Sequence, residues 1–181
     1  MSIIAPDDHI LAARRKWIYR GETRPPFAEA TGDGEESVWD FPRPPVIEPV
    51  SLRLRVFAGD ELIAETTDGV RVCETAGAPT YYFPPDDVLI APVANGGRSI
   101  CEWKGLAEAL DVAGVQDAAW RYAEVFEEFA SIRNWPSFYP NRVTCYVGDD
   151  VVTPQPGGYY GGWVTPNLKG PIKGEPGSGG W

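Results

Sequence analysis

Short runs of alternating apolar and polar residues, each ended by a turn signal, constrain the fold of this chain most. Residues 50–57 alternate in this way, and a period of two is the pattern of a half-buried strand. Residues 70–75, 80–83 and 142–147 are shorter runs of strand character, and Gly, Pro, Asn and Asp residues separate them. Regularly spaced turn signals between short strands are typical of antiparallel sheets. The sequence therefore predicts a mainly β (α+β) fold built as an antiparallel meander.

Two segments depart from this period. Residues 6–18 predict a short helix, since Asp7 or Asp8 can accept hydrogen bonds from its first turn. In residues 117–132 the apolar side chains recur at helical spacing, which predicts the one convincing helix region of the domain.

The chain of 181 residues is long enough for one domain with extensions. We predict an N-terminal arm over 1–49, a β domain over 50–153 and an extended tail over 154–181. About half of the tail is Gly or Pro, but Tyr159, Tyr160 and Trp163 punctuate it. Because a solvated linker would not carry so many aromatic residues, we expect the tail to be ordered and these three side chains to be largely buried.

The net charge of −10 restricts the kinds of partner. Nucleic-acid binding needs a basic face, and docking on anionic lipid also needs positive charge. We therefore expect neither partner. No apolar run approaches the length of a membrane span, and residues 1–11 lack the features of a signal peptide. We expect a cytoplasmic protein.

One short stretch combines several chemically useful side chains. Residues 99–105 read Ser-Ile-Cys-Glu-Trp-Lys-Gly. If the stretch is a strand, Cys101 and Trp103 share a face and Lys104 points the other way, unless the chain turns at Gly105. One interpretation is a pocket wall with a reactive thiol or amine. The other is a buried thiol and indole in a core, with the charged residues in solvent.

This stretch is one of several motifs that occur in a characteristic order. The motifs are Glu74-Thr75, Pro79-Thr80-Tyr81-Tyr82-Phe83-Pro84, Asp87-Val88, Cys101-Glu102-Trp103-Lys104-Gly105 and Asp117-Ala118-Ala119-Trp120. Together they resemble the bacterial domain-of-unknown-function family 427, and the aromatic and glycine-rich tail is similar to that of a longer subgroup. The resemblance implies a two-sheet, tent-like β domain similar to the Mss-four-like and methionine sulfoxide reductase B folds. It implies no reaction.

The family is also grouped under a nucleotidyltransferase-like heading, which the residues do not support. Polymerase-like transfer needs two carboxylates on one strand face, as in Asp-x-Asp, to hold Mg²⁺. The chain instead has adjacent acids, Asp86-Asp87 and Asp149-Asp150, which suit turns and caps. No glycine-rich nucleotide-binding motif is present either. We expect no cofactor.

Two functional hypotheses remain open. The first is a small-molecule-binding domain or enzyme, whose pocket contains a few polar groups between aromatic walls. Its candidate residues are Cys101, Lys104 and Glu74 as catalytic groups, with Arg71, Tyr81, Tyr82, Trp103, Asp117 and Trp120 as ligand-binding groups. Within it, a thiolate nucleophile at Cys101, a Schiff base at Lys104 and a general base at Glu74 are alternative chemistries. The ligand is unidentified.

The second hypothesis is a non-catalytic interaction or structural protein. Its aromatic arms would bury apolar area on a partner, most simply a second copy of the chain in a homodimer. Packing of the arms on their own domain would weaken this hypothesis, and an open cavity beside Cys101 and Lys104 would favour the first.

The inventory of metal-ligating residues leads to one prediction. Cys73, Cys101 and Cys145 are far apart in the sequence, and His9 is the single histidine. A structural zinc site needs four such ligands, typically in closely spaced pairs. We predict that the purified protein holds no structural zinc, and elemental analysis that finds one tightly bound zinc per chain would contradict this prediction.

Overall fold

The computed structural model describes residues 3–181, which form one α-helix, α1 (Asp8–Arg15), and sixteen short strands. In chain order the strands are β1 (Ile3–Ile4), β2 (Glu36–Ser37), β3 (Val46–Pro49), β4 (Leu54–Ala58), β5 (Glu61–Thr66), β6 (Val70–Cys73), β7 (Thr80–Tyr82), β8 (Val93–Cys101), β9 (Gly105–Val112), β10 (Val115–Phe126), β11 (Pro136–Phe138), β12 (Thr144–Val147), β13 (Asp150–Val151), β14 (Thr153–Pro154), β15 (Trp163–Val164) and β16 (Leu168–Lys169). Three 3-10 helices cover Pro85–Asp87, Glu127–Ile132 and Ser178–Gly180.

Most strands belong to two antiparallel sheets. The larger has the order β3-β6-β7-β11-β10-β9-β8, with β1 added in parallel to β10, and the smaller has the order β13-β12-β4-β5. Two further pairs, β14 with β15 and β2 with β16, join parts of the arm and tail. The mainly β, antiparallel prediction is confirmed. Among residues 3–181, no helix has the length and apolar character needed to cross a membrane.

The buried side chains form three clusters, one between the two main sheets and two outside them. The first packs residues such as Leu54 and Val56 of the smaller sheet against Leu110 and Phe138 of the larger one. The second covers the opposite face of the larger sheet, and the third joins the arm, the tail and β6. The larger sheet is therefore buried on both faces. Its β6–β7 region contacts one cluster on one face and a different cluster on the other.

The N-terminal helix forms as its sequence predicts. The Asp7 carboxylate accepts a hydrogen bond from the Ile10 main-chain N–H at 2.9 Å, and Arg14 and Arg15 lie in the last turn. Both features stabilise a helix by satisfying its free N–H groups and by complementing its dipole.

The predicted helix over 117–132 is wrong. These residues continue β10 through Phe126, and only a 3-10 helix follows over Glu127–Ile132. β10 lies in the interior of the larger sheet and pairs with both β9 and β11. A strand that is buried on both faces carries apolar residues at most positions, and such a run also satisfies helical spacing.

The stretch 99–105 is not one strand. β8 ends at Cys101, residues 102–104 form a turn, and β9 begins at Gly105. The sequence Asn95-Gly96-Gly97, which predicts a turn, instead lies inside β8, where the register with β9 shifts. β8 is an edge strand, and each of its residues before Cys101 is exposed.

The arm and tail both pack on the rest of the chain. Trp39 and Trp163 are 1% and 0% exposed, and Trp163 stacks on Tyr81 with ring centroids 4.9 Å apart. The prediction that the tail tyrosines are largely buried is wrong, since Tyr159 is 75% and Tyr160 is 37% exposed.

The β8–β9 hairpin predicts a large effect of one glycine substitution. Gly105 has φ +123°, and a Cβ there would overlap the main chain of Glu124 in β10. Gly96 in the same hairpin also has positive φ, but a Cβ there meets no atom. We expect Gly105→Ala to lower the free energy of unfolding by about 3 to 5 kcal/mol, from backbone strain plus steric overlap. Gly96→Ala has the strain alone and should lower it by about 1 to 2 kcal/mol.

Urea unfolding of both variants measures the difference. Equal losses of stability in the two variants would contradict the close approach of the hairpin to β10.

Candidate functional site

A cleft lies where the N-terminal segment, the β8–β9 turn and the tail meet the larger sheet. It consists of two cavities of about 400 Å³ and about 100 Å³. Glu74, Lys104, Tyr160 and Lys173 line both cavities, and α1, Trp17 and Cys101 contribute to the larger one. The cleft therefore collects charged and aromatic groups from segments far apart in the sequence.

The tight turn between β8 and β9 positions Lys104 at this cleft. The main-chain N–H of Phe126 donates a hydrogen bond to the Lys104 carbonyl oxygen at 3.2 Å, and Gly105 packs directly on the main chain of Glu124. These contacts hold the turn against β10, so that only 8% of Lys104 remains exposed.

The Lys104 ammonium group forms no ion pair with any of residues 3–181. Burial opposes its charge, but attraction to the ionised forms of the Cys101 and Tyr82 side chains and to the Glu74 carboxylate exceeds this effect and raises the pKa of Lys104. A Schiff-base lysine needs a lowered pKa. The raised pKa disfavours a Schiff base at Lys104 and favours a charged side chain there.

Arg43 orients Glu74 in the wall of the cleft. Its Nε donates to Glu74 Oε1 at 3.0 Å, and its two Nη atoms donate to main-chain oxygens of Tyr19, Thr75 and Trp181. The Arg43 side chain is 1% exposed, whereas the Glu74 side chain is 25% exposed. Glu74 Oε2 accepts no hydrogen bond within the described part of the chain.

Lys173 brings a second amine into the cleft from the tail. Its Nζ donates to the main-chain oxygen of Trp181 at 3.0 Å and lies 3.9 Å from the centre of the Trp17 ring. The residue is only 6% exposed. Burial lowers the pKa of Lys173 to about 8, and the positive charges of Arg43 and Lys16 act in the same direction.

Cys101 is the one cysteine that reaches the cleft. It is partly exposed, and the ammonium group of Lys104 and the phenol of Tyr122 lie near its thiol. Cys73 and Cys145 are buried, and burial raises the pKa of both, that of Cys73 to about 12. Access therefore distinguishes Cys101 from the two buried cysteines.

The comparison with known families identifies the part of the chain that carries these groups. A family model described as "Domain of unknown function (DUF427)" matches residues 46–149. The chain belongs to the DUF427 family. This match confirms the resemblance that the motifs indicate, and no curated protein matches the chain. Glu74, Cys101 and Lys104 lie within the DUF427 segment, whereas Arg43 and Lys173 lie outside it.

Three of the four acidic-pair residues of this DUF427 protein take turn or 3-10 positions, and the fourth, Asp150, begins β13. Asp86 and Asp87 belong to a 3-10 helix, and Asp149 lies in the turn between β12 and β13. Within residues 3–181, no three His, Cys, Asp or Glu side chains lie close enough together to hold a metal ion.

The remaining candidate residues lie outside the cleft, two of them on the other face of the sheet. Arg71 pairs with Tyr81 across β6 and β7, so the two share the face opposite Val72 and Tyr82. They line a separate cavity of about 410 Å³. There Arg71 forms ion pairs with Glu36 and Glu48 at 2.6 and 2.8 Å, so its charge is already compensated. The structure brings Tyr82, not Tyr81, towards Lys104.

Three further candidate residues take part in core packing or local hydrogen bonding and do not line the cleft. Trp103 and Trp120 are 3% and 7% exposed and belong to the buried cluster that contains Tyr82. Asp117 lies at a bulge of β10 with φ +50°, and Asn95 donates a hydrogen bond to its carboxylate at 2.8 Å. Trp103 thus packs in the core next to the β8–β9 turn. Asp117 stabilises the local backbone through its hydrogen bond with Asn95.

Sequence reasoning missed Arg43, Tyr160 and Lys173. Arg43 lies between two prolines, and Lys173 follows a stretch whose composition suggests disorder. The aromatic residues of the tail were the one signal that it folds back, but they do not indicate which lysine becomes buried.

The surroundings of the three thiols generate a prediction about their reactivity. We expect iodoacetamide to alkylate Cys101 at least about ten times faster than Cys73 or Cys145, because Cys101 is accessible whereas the other two are buried and have raised pKa values. Peptide mass spectrometry over time measures the three rates. Cys101→Ser should remove the fast phase, and fast alkylation that remains in this variant would assign the reactive thiol elsewhere.

Proposed function

We propose that this protein binds a small organic anion in the cleft, with Lys104 as its principal electrostatic contact. The observation that carries the proposal is the buried ammonium group without an ion-pair partner among residues 3–181. A buried charge of this kind costs several kcal/mol of desolvation unless a partner compensates it. An anionic ligand would supply that partner.

The treatment of other buried cations in the chain supports this proposal. Arg43 forms four hydrogen bonds, one of them to Glu74. Arg71 is compensated by two carboxylates. Lys104 differs from both because the nearby groups at neutral pH include only one carboxylate, Glu74, whose Oε1 already binds Arg43. Its positive charge is therefore available for a ligand.

The shape and lining of the cleft suit a small ligand. A volume of about 400 Å³ falls in the range of small-molecule sites. Trp17 and Tyr160 provide flat apolar surface beside the charged groups, and the amine of Lys173 adds further positive charge. Lys16 and Arg43 also line the cleft, so its basic side chains outnumber the carboxylates of Glu74 and Glu102 in a chain whose net charge is −10. This balance favours anions at this place.

The packing of the arms argues against the interaction or structural hypothesis. Trp39, Phe41 and Trp163 are at most 7% exposed within a single chain. Their apolar area is already buried and is not available for a partner. A homodimer, the absence of nucleic-acid or membrane partners, and a cytoplasmic location stay predictions.

Replacement of Lys104 tests the proposed function. We expect wild-type protein to bind pyruvate, as a probe anion, and Lys104→Met to bind it about 10- to 100-fold more weakly, the usual loss for one charge-assisted hydrogen bond. Chemical-shift titration of isotope-labelled protein measures both affinities. Urea unfolding of the variant checks that it is folded.

Lys169→Met is the matched control. It removes the same charge from a lysine of the tail that pairs with Glu35 at 3.0 Å, away from the cleft. Equal affinity of the two variants for pyruvate would overturn the proposal, because net charge alone would then determine binding.

A further inference from the structure

We propose that the amine of Lys173 condenses with a carbonyl group of the bound anion to form an imine, so that the ligand class is a small carbonyl-bearing anion such as a 2-oxo acid. This inference rests on the proposed function, in which Lys104 holds the anionic group. It assigns to Lys173 the chemistry that the fixed charge of Lys104 does not provide.

The position of Lys173 is the first reason. Its side chain lines both cavities, together with Lys104 and Glu74. Its backbone is fixed on both sides, because its N–H donates to the Ala76 carbonyl and its own carbonyl accepts from Gln155 Nε2, both at 2.8 Å. A side chain on such a support reaches the cleft in a defined direction, which reduces the entropy lost on reaction.

The surroundings of Nζ are the second reason. The amine lies between the Trp17 and Tyr160 rings, 3.9 and 5.7 Å from their centres, and Arg43 contributes a nearby positive charge. Desolvation and a neighbouring cation are the two features that activate a lysine as a nucleophile. With a pKa of about 8, about a tenth of the Lys173 amines are neutral at pH 7. For an ordinary lysine with a pKa of 10.5 the fraction is about one in three thousand.

The two lysines have complementary roles towards one ligand. Lys104 has a raised pKa and keeps its charge, whereas Lys173 has a lowered pKa and can lose its proton. Because both lysines line the same two cavities, a ligand that carries an anionic group and a carbonyl group suits the pair. A neutral carbonyl compound lacks the contact to Lys104, and a simple anion lacks the reaction at Lys173.

Glu74 is suited to move the protons of this reaction. The lone pair of the neutral Lys173 amine attacks the carbonyl carbon, and the carbonyl oxygen takes up a proton to give a carbinolamine. In this step the nitrogen also loses one proton, so the carbinolamine is neutral. The nitrogen then loses its second proton and the hydroxyl group takes up a proton and leaves as water as the C–N double bond forms, so amine plus carbonyl gives imine plus water. Glu74 Oε2, which faces no donor within residues 3–181, accepts and returns the protons.

Reductive trapping tests the imine directly. Wild-type protein is incubated with pyruvate and cyanoborohydride, and the modified lysines are located by peptide mass spectrometry. We expect Lys173 to be modified at least about tenfold faster than Lys169, with a rate that increases as the pH rises through 8. Lys173→Arg keeps the charge but removes the primary amine, and should abolish this adduct.

The ligand class is tested by a second carbonyl compound without charge. Lys104→Met should slow modification of Lys173 by pyruvate at least about tenfold more than it slows modification by acetone. Both measurements use the full chain, and urea unfolding of each variant checks that it is folded.

The outcomes separate the two proposals. One outcome is that pyruvate changes the chemical shifts of the wild-type protein but Lys173 is modified no faster than Lys169. The imine is then refuted and anion binding stands. If Lys173 is modified rapidly but Lys104→Met reacts with pyruvate as fast as wild type, the anchoring role of Lys104 is refuted and the reactive amine stands.

Discussion

The hydrogen bonds of the buried Arg43 guanidinium group connect the family segment, the arm and the tail, and the structure of the cleft depends on them. This group binds Glu74 and Thr75 of the family segment, the main chain of Tyr19 in the arm and the main chain of Trp181 in the tail. Its guanidinium carbon also lies 4.5 Å from the centre of the Trp17 ring. Removing one partner of a buried, hydrogen-bonded charge leaves the other uncompensated. One side chain therefore determines both how the terminal segments dock and how Glu74 is oriented.

This arrangement divides the cleft between two kinds of segment. The part that matches DUF427 contributes the rigid groups, because Lys104 and Glu74 are fixed by the β8–β9 turn and by β6. The flanking segments contribute Trp17 and Lys173, which close the cleft on the other side. The chemistry proposed for this chain therefore needs the flanks as well as the family segment. A DUF427 chain without equivalent flanks would keep the fixed charge and lose the second amine.

Much of the fold could be predicted from the sequence. In a strand with one buried face, apolar and polar residues alternate, and turn residues mark where each strand ends. The hairpin at Ala58-Gly59-Asp60-Glu61 and the inward face of β12 follow directly from this pattern. The pattern failed for β10, because burial on both faces removes the alternation. Part of the cleft was predictable for a different reason: Cys101 and Lys104 are neighbours in the chain.

The choice between Tyr81 and Tyr82 was not predictable in this way. It depends on the register of β6 and β7, and a shift by one residue exchanges the two faces. The burial of Lys173 was not predictable either, because its partners are distant in sequence and it becomes buried only where the arm and tail meet.

The unequal support of the two strands in the β8–β9 hairpin has a consequence for the thermodynamics of local opening. β8 pairs on one side only, and its residues before Cys101 are exposed, whereas β9 lies between β8 and β10. Edge strands with few buried contacts separate from a sheet at a lower free energy than interior strands. Fraying of β8 would carry Cys101 away from the sheet, while Lys104 is held by its carbonyl contact with Phe126. The Cys101 thiol and the Lys104 ammonium group thus belong to parts of the hairpin with different opening free energies. They lie close together only in the closed state of β8, and the opening equilibrium of this strand determines how often that state is occupied.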